Sequence, residues 1–328
     1  MGIINSLFFN TRKFNIMSLP DDSLLDISSF LCTKSMLRMC LTSKYLHNLF
    51  LNNKNNMVLH KFTVKRCIKN LQFLNNNSFK ILNIDLKSNR YIKDCDFIYL
   101  KGIHTLNMKG CKQETITDEA FKNLKGIHTL DMSSCKQKTI TDKAFENLKG
   151  IHTLNMAYCD QETITDKAFE NLKGIHTLNM YMSYQETITN RAFENLKGIH
   201  TLNMSRCNQH TITDKAFENL KGIHALCMSK CNQNTITDNA FEYLKGIHTL
   251  HIINCNQTTI TDKAFQYLKG IHTLVMNYCN QNTITEGVIQ YLKDIQVLHI
   301  IGCRQTLKDK ALSCLKNTEI THHSIILR

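Results

Sequence analysis

A leucine returns every 24 residues through most of this chain, at Leu106, Leu130, Leu154, Leu178, Leu202, Leu226, Leu250, Leu274 and Leu298. Around each stands almost the same text, of which Leu148-Lys-Gly-Ile-His-Thr-Leu-Asn-Met-Ala-Tyr-Cys159-Asp-Gln-Glu-Thr-Ile-Thr-Asp166-Lys-Ala-Phe169 is one copy. A fixed period of this length is the mark of a solenoid. Each unit then touches only its neighbours, so 328 residues need not divide into two or three globular domains. Solenoids present long surfaces for binding. No Ser/His/Asp constellation, phosphate loop or paired carboxylate stands apart from the repeats, so no enzyme and no cofactor is expected.

Each unit has two halves. In Ile103-His-Thr-Leu106-Asn-Met108, apolar Leu106 and Met108 alternate with Thr105 and Asn107, the period of a half-buried strand. From Thr117 to Gly126 the register changes: Asp118 reads as a helix cap, Phe121 and Leu124 share one face, and Gly126 suits a left-handed helix end. A coil is therefore a short parallel strand, a turn at the cysteine and one to two turns of helix. Helices are wider than strands, so the sheet should take the concave side of an arc. Leu82, Ile84, Ile92, Asp94, Phe97 and Leu100 read as a degenerate first unit, counted back 24 from Leu106. Leu307, Asp309, Ala311 and Leu315 continue the pattern past Cys303, with Ser324–Arg328 as a possible closing strand.

The repeat accounts for residues that would otherwise invite chemistry. Of 14 cysteines, Cys111, Cys135, Cys159, Cys207, Cys231, Cys255, Cys279 and Cys303 occupy one repeat position, with Ser183 in the remaining slot. No C-x-x-C pair occurs, so buried thiols are expected rather than zinc ligands. Free thiols fit a reducing compartment, and no signal peptide or apolar run of spanning length argues otherwise. His104, His128, His152, His176, His200, His224, His248 and His272 should stack about 5 Å apart. Their mutual repulsion should keep most of them neutral near pH 7, and one column offers poor geometry for a metal.

The net charge of +13 is uneven. Residues 1–90 hold 13 Lys/Arg against four Asp, and the remainder holds 27 against 23. Lys54, Lys61, Lys65, Arg66, Lys69 and Lys80 lie in a stretch without an acid. Aromatics do not interleave there as stacking platforms would, so a solvated basic connector is expected and nucleic acid is not. Met1-Gly2-Ile-Ile-Asn-Ser6 fits a myristoylation pattern at Gly2, but one acyl chain anchors only marginally, and membrane association is not expected.

Ile-x-x-Leu-x-Met-x-x-Cys followed by Ile-Thr-Asp-x-x-Phe-x-x-Leu resembles the cysteine-containing leucine-rich repeat over residues 76–315, in units of 24 rather than about 26 residues. The resemblance implies an α/β solenoid, a leucine-rich-repeat horseshoe with strands concave and short helices convex. Ahead of it stand Leu19-Pro20-Asp21-Asp22-Ser-Leu24-Leu25-Asp-Ile27-Ser-Ser-Phe30-Leu31 and Met36-Leu37-Arg-Met39-Cys-Leu41-Thr-Ser43-Lys-Tyr45-Leu46. Over residues 17–50 this resembles the F-box, a small all-α motif, with Tyr45 where that family commonly has tryptophan and Thr33-Lys34 where proline and acid are usual. The implied division is an N-terminal segment 1–16, the F-box-like motif 17–50, a basic helical connector 51–75, the array 76–315 and a C-terminal cap 316–328. F-box followed by leucine-rich repeats is the layout of substrate receptors in cullin-type (SCF-like) ubiquitin ligases. It implies that Leu19, Pro20, Leu24, Leu25, Ile27, Phe30, Leu31, Leu41 and Tyr45 dock a Skp1-like adaptor, while the array holds a protein target and no small molecule. The receptor would be non-catalytic and cytoplasmic or nuclear. The Asn-, Lys- and Ile-rich text also resembles repeat proteins of giant amoeba viruses, which would place the adaptor in a host cell. The alternative is a binding scaffold or decoy whose front helices merely cap the array.

Positions that escape the repetition point to the target surface. The two residues after each methionine differ most: Lys109-Gly110, Ser133-Ser134, Ala157-Tyr158, Tyr181-Met182, Ser205-Arg206, Ser229-Lys230, Ile253-Asn254, Asn277-Tyr278 and Ile301-Gly302, with Ile in place of that methionine in two units. All are expected to face outward on the concave face or its ascending edge. The Asn107 column breaks late, at Cys227, His251, Val275 and His299. Aromatic and arginine anchors dominate protein interfaces, so Tyr158, Tyr181, Met182, Tyr184, Arg206, Lys230, His251 and Tyr278 are the candidate contacts.

Overall fold

The computed structural model describes residues 80–303 throughout, with residues 23–24, 45–46, 48–49, 58–59, 62–64, 312–315 and 318–321 besides. The chain forms two compact units, Met1–Thr63 with Lys69–Asn83, and Val64–Ile68 with Ile84–Arg328. In the first, residues 23–24, 45–46 and 48–49 are helical. Leu24, Leu46 and Leu49 are buried there and Tyr45 is exposed. Val58–Leu59 pairs in parallel with Lys80–Ile81. Leu19, Pro20, Leu25, Ile27, Phe30, Leu31 and Leu41 lie outside the described residues.

The second unit is the solenoid. Its strands begin at Asn83–Asp85 and Thr105–Asn107, recur every 24 residues to Val297–His299, and end at Glu319–Thr321, side by side in chain order. Leucine pairs with leucine across them, Leu106 with Leu130 and Leu130 with Leu154, so one parallel sheet carries a single leucine column. Each strand is three residues long and, up to Val297–His299, half-buried at its ends and buried at its centre. That is the alternation read from the sequence. Behind the sheet, Met156, Cys159, Ile164, Ala168, Phe169, Leu172 and Ile175 of one coil are all buried. The phenylalanines from Phe97 to Phe265 form a column of fully buried rings through eight coils.

Helices lie on the far side and are short, such as Asp166–Glu170, because few residues separate cap from terminator. Gly174 ends its coil at φ +83° with open space around its α-carbon, so glycine is required there by conformation and not by room. The cap itself differs from the expectation. Thr165, extended at φ −124°, accepts from Lys167 N, and Asp166 is the first helical residue. The aspartate faces the next coil instead: its Oδ1 accepts from Thr189 N and its Oδ2 from Thr189 Oγ1, both at 2.7 Å. Threonine supplies the shorter capping arm, which frees the carboxylate to reach across.

Three more side chains bind most coils to the one before, Gln257 being without the glutamine bond. Cys159 Sγ donates to Met132 O at 3.2 Å, Gln161 Nε2 to Cys135 O at 3.1 Å and Thr163 Oγ1 to Ile140 O at 2.8 Å. Ser183 keeps the first of these bonds, its hydroxyl donating to Met156 O at 3.2 Å. Burial pushes the thiols up, Cys159 and Cys207 to about 12, so they stay protonated donors at neutral pH.

The histidine rings stack at centroid spacings of 4.4–4.5 Å, nearly parallel, and every Nδ1 except that of His224, which precedes Ala225, lies near the following threonine hydroxyl (3.1 Å for His152 and Thr153). Parallel rings direct their in-plane lone pairs side by side rather than toward one point, so adjacent members do not chelate. Among the described residues no three His, Cys, Asp or Glu side chains converge on a metal position, and no helix is long and apolar enough to cross a membrane.

Both ends depart from the expected frame. Ile84, not Leu82, is the buried centre of the first strand, so that coil is two residues short. Asn89 takes the cysteine's place, donating to Val64 O at 2.9 Å and accepting from Tyr91 N and Ile92 N. The last strand is Glu319–Thr321, with Val297 opposite Glu319, and Ser324–Arg328 lies outside the described residues.

Asp166→Ala removes two inter-coil bonds and should lower unfolding free energy by roughly 1–3 kcal/mol, read by urea denaturation. Asp166→Asn should cost less, since Asn190 already accepts from Thr213 N and donates to Thr213 Oγ1, both at 2.9 Å. Equal losses would show that an amide cannot take over the two bonds, as Asn190 does. A second test is pH. Loss of solvent around the stacked rings, then repulsion from neighbouring imidazoles, lowers the pKa of His128, His200 and His248 below the ordinary 6.5. The neutral ladder's contribution is thus complete above the unfolded value and is lost as pH falls through the folded one. The urea midpoint should fall between pH 7.5 and pH 5, and His→Asn at these three positions should flatten the change.

Candidate target-binding edge

The strand ends at a fixed point, and the backbone there decides which side chains face outward. Asn155 Oδ1 accepts from Ala157 N at 3.1 Å, holding the first residue after the methionine against the coil. Ser133, Ala157 and Ser205 in that position are buried, contrary to the outward placement expected for both members of each pair. The second residue turns left-handed: Ser134, Tyr158, Met182, Arg206, Lys230, Asn254 and Tyr278 all have φ between 57° and 61°. Only Gly110 and Gly302 occupy this column at no steric cost. Elsewhere roughly 1 kcal/mol per residue is spent to hold a side chain where glycine would be easier. A strained column of tyrosine, methionine, arginine and lysine is what a functional edge would show.

Neighbouring side chains on this edge engage one another. The Tyr158 and Tyr181 rings meet edge to face at 5.2 Å, and Arg206 Cζ lies 5.9 Å from the centre of the Tyr181 ring. Arg206 Nη1 also approaches Met182 Sδ at 3.9 Å. Crowding, then the bond to Tyr158, pushes the Tyr181 phenol up, against the pull of Arg206. Beside them Met182, Tyr184, Arg206, Asn208, Lys230, Asn232, Asn254 and Asn256 line an open pocket of about 460 Å³. Six of the eight candidates therefore gather within a few coils. Four of these line the pocket, Tyr158 and Tyr181 lie beside it, and Tyr278 and His251 stand apart. Tyr278 is exposed and its ring lies over Gly302, where any Cβ would collide with it. His251 sits on a strand, opposite Cys227 and Val275.

Two features of the edge escaped the sequence reading. The first is an asparagine ladder: Asn232 N donates to Asn208 Oδ1, Asn256 N to Asn232 Oδ1 and Asn280 N to Asn256 Oδ1, at 2.6–2.8 Å. Four asparagines in one frame after Lys112, Lys136, Asp160 and Tyr184 were the available signal. The second is the repair where the strand-end asparagine is lost at Cys227 and His251. Ser205 Oγ accepts from Ser229 N, and Ser229 Oγ from Ile253 N, each at 3.2 Å. Cys227 Sγ lies 3.0 Å from Ser205 Oγ. Burial pushes this thiol up, but hydrogen bonds from His251, Ser205 and Ser229 outweigh it and bring it down to about 7.

The left-handed column yields a paired test. Lys230→Gly should leave stability unchanged or raise it by up to about 1 kcal/mol, glycine's larger unfolded entropy offsetting part of the relief. Lys230→Val should destabilise by about 1 kcal/mol or more, because a β-branched residue is the poorest occupant of this region. Chemical denaturation of both variants reads the difference, and a valine variant as stable as the glycine one would refute the conformational reading.

Comparison with known proteins agrees with this architecture. A family model for the BspA type leucine rich repeat region matches six copies over residues 66–185 and 138–272, and one for the F-box domain matches residues 16–57. Neither describes an enzyme. No curated protein matches, so the resemblance to giant-virus proteins gains no relative in its support. Among solved structures, the TLR13 chain of the TLR13–ssRNA13 complex aligns at 21% identity and TM-score 0.59, covering 80% of this chain and 38% of that one. A chain of the Toll–Spatzle complex from Drosophila aligns at 12% identity and TM-score 0.39, over 81% of this chain and 51% of that one. This chain thus spans less than two thirds of either, and the TLR13 likeness is one of fold. The cysteine column pointed to the cysteine-containing class of repeat and the matching model is the BspA type; the leucine-rich-repeat array is common to both. The chain belongs to the BspA-type leucine-rich-repeat proteins, with an F-box domain ahead of the array.

Proposed function

We propose that this protein is a substrate-recognition subunit of a cullin-type ubiquitin ligase. The observation that carries the reading is the order of the two modules, an F-box domain at 16–57 followed by the repeat array. All nine expected adaptor contacts, from Leu19 to Tyr45, fall inside the matched F-box segment. In this reading they make up the motif that docks a Skp1-like adaptor, Leu24 from its buried core, and Tyr158, Tyr181, Met182, Tyr184, Arg206 and Lys230 hold a protein target. The subunit itself does no chemistry. It raises the effective concentration of the target beside a charged ubiquitin carrier. The strained, large side chains on the ascending edge support a target there, since glycine at the same positions would serve the fold alone. The repeat-column thiols from Cys111 to Cys303, in no disulfide, fit a reducing cytoplasmic or nuclear setting.

The test is co-purification of the full chain with a Skp1-type adaptor, repeated with Leu19→Ala, Pro20→Ala and Tyr45→Ala combined. Stable binding that the triple variant abolishes, with the array's circular dichroism unchanged, is the expected result. Failure of the intact chain to bind any such adaptor would leave a binding solenoid and remove the ligase role. In a reconstituted ligase, Tyr181→Ala with Arg206→Ala should then reduce target ubiquitination without loosening the adaptor.

A further inference from the structure

At the N-terminal end of the same edge, a pocket of about 620 Å³ is lined by Lys87, Ser88, Arg90, Lys109, Gly110, Lys112, Gln113 and Ser134. It exists because of Gly110. In the seven coils from Ser134 to Tyr278 this left-handed position carries a side chain, whereas here a Cβ would already stand 3.3 Å from Ser88 Oγ. Four cations line it and no acid does. None of the four forms an ion pair among the described residues, where the pairs are Lys122 with Glu119 and Lys136 with Asp160. Of the carboxylates nearest in sequence, Asp85 Oδ1 accepts from Lys87 N at 3.0 Å and Asp94 accepts from Thr117 N at 2.8 Å and Thr117 Oγ1 at 2.6 Å, while Glu114 neither lines the pocket nor forms an ion pair with any of the four. An array otherwise close to charge balance thus concentrates four unneutralised cations around one opening.

We propose that Lys87, Arg90, Lys109 and Lys112 form an anion site for a phosphate monoester. A carboxylate would leave most of this charge uncompensated. A phosphate monoester carries about −1.5 to −2 charges at pH 7 and three acceptor oxygens, which suits several lysines and a forked guanidinium together. The cluster is bounded, not a track. In the next coil Lys136 is neutralised by Asp160 at 3.0 Å, and beyond it the edge turns aromatic at Tyr158 and Tyr181. A nucleic-acid backbone needs a continuous basic groove, and this is not one. The site does not depend on the front helices docking an adaptor.

Calorimetric titration of the full chain at low salt, with a phosphoserine peptide and with glycerol 3-phosphate, tests the proposal. Saturable binding of either is expected, and the tighter of the two shows whether the phosphate belongs to a protein or to a small molecule. Lys109→Gln with Lys112→Gln should weaken it about tenfold. Lys149→Gln with Lys173→Gln, an equal charge loss at exposed helix-end positions, should not. No saturable binding of either probe, equal weakening by the two double variants, or tighter binding of oligothymidylate than of both probes would each overturn the site.

Discussion

The fold depends on side chains that satisfy the backbone of a neighbouring coil. Strands of three residues and helices of four or five are too short to stand alone, since a helix of one turn has barely passed its nucleation cost. What holds a coil is the set of bonds leaving it. The aspartate carboxylate clamps the next threonine, and cysteine, glutamine and threonine donate to carbonyls of the previous coil. Each buried carbonyl reached this way would cost about 1–3 kcal/mol if left unpaired. Stability is therefore a property of interfaces between coils.

That constraint explains the near-verbatim repetition. A residue in these columns must fit its own coil and present the right atom to a neighbour. The exceptions obey the rule atom by atom. Ser183 replaces a thiol and still donates to the same carbonyl, and Asn190 replaces aspartate and still accepts from the threonine N–H. At Cys227 and His251 the strand-end acceptor is lost, and serine hydroxyls from the preceding coil take over its donors. Freedom appears only where the backbone is already satisfied. Tyr158 N donates to Tyr181 O and Arg206 N to Ser229 O, so the left-handed residues carry any side chain without breaking a bond.

Much of this was legible in the sequence, and the reason for each success and failure is local. Leucine, phenylalanine and cysteine columns report burial, which a period reveals directly; the strand, the turn and the terminating glycine followed. Thr165 as the true cap was hidden, because threonine and aspartate both cap and only the coil-to-coil geometry assigns them. Counting in steps of 24 chose Leu82 over Ile84, since the first coil is shortened between Asn89 and Ile92, where Asn89 folds the turn with its own side chain. On the edge, divergence between repeats located the variable pairs but not which member projects. That depends on a φ angle, and nothing in Ala157-Tyr158 or Ser205-Arg206 announces a left-handed residue as glycine would.

The same physics separates the two regions of the edge. Where the column holds glycine, at Gly110, the surface sinks and the flanking Lys109 and Lys112 surround an opening. Where it holds Tyr158, Met182 and Arg206, the side chains rise and pack against one another across coils. The backbone path is alike in both, with Gly110 at φ 70° and Arg206 at φ 60°. Relief along the array is thus set by one column, independently of the bonds that stack it. A solenoid built this way can exchange the character of its binding surface coil by coil, from a charged hollow to an aromatic ridge, while the clamps beneath remain the same.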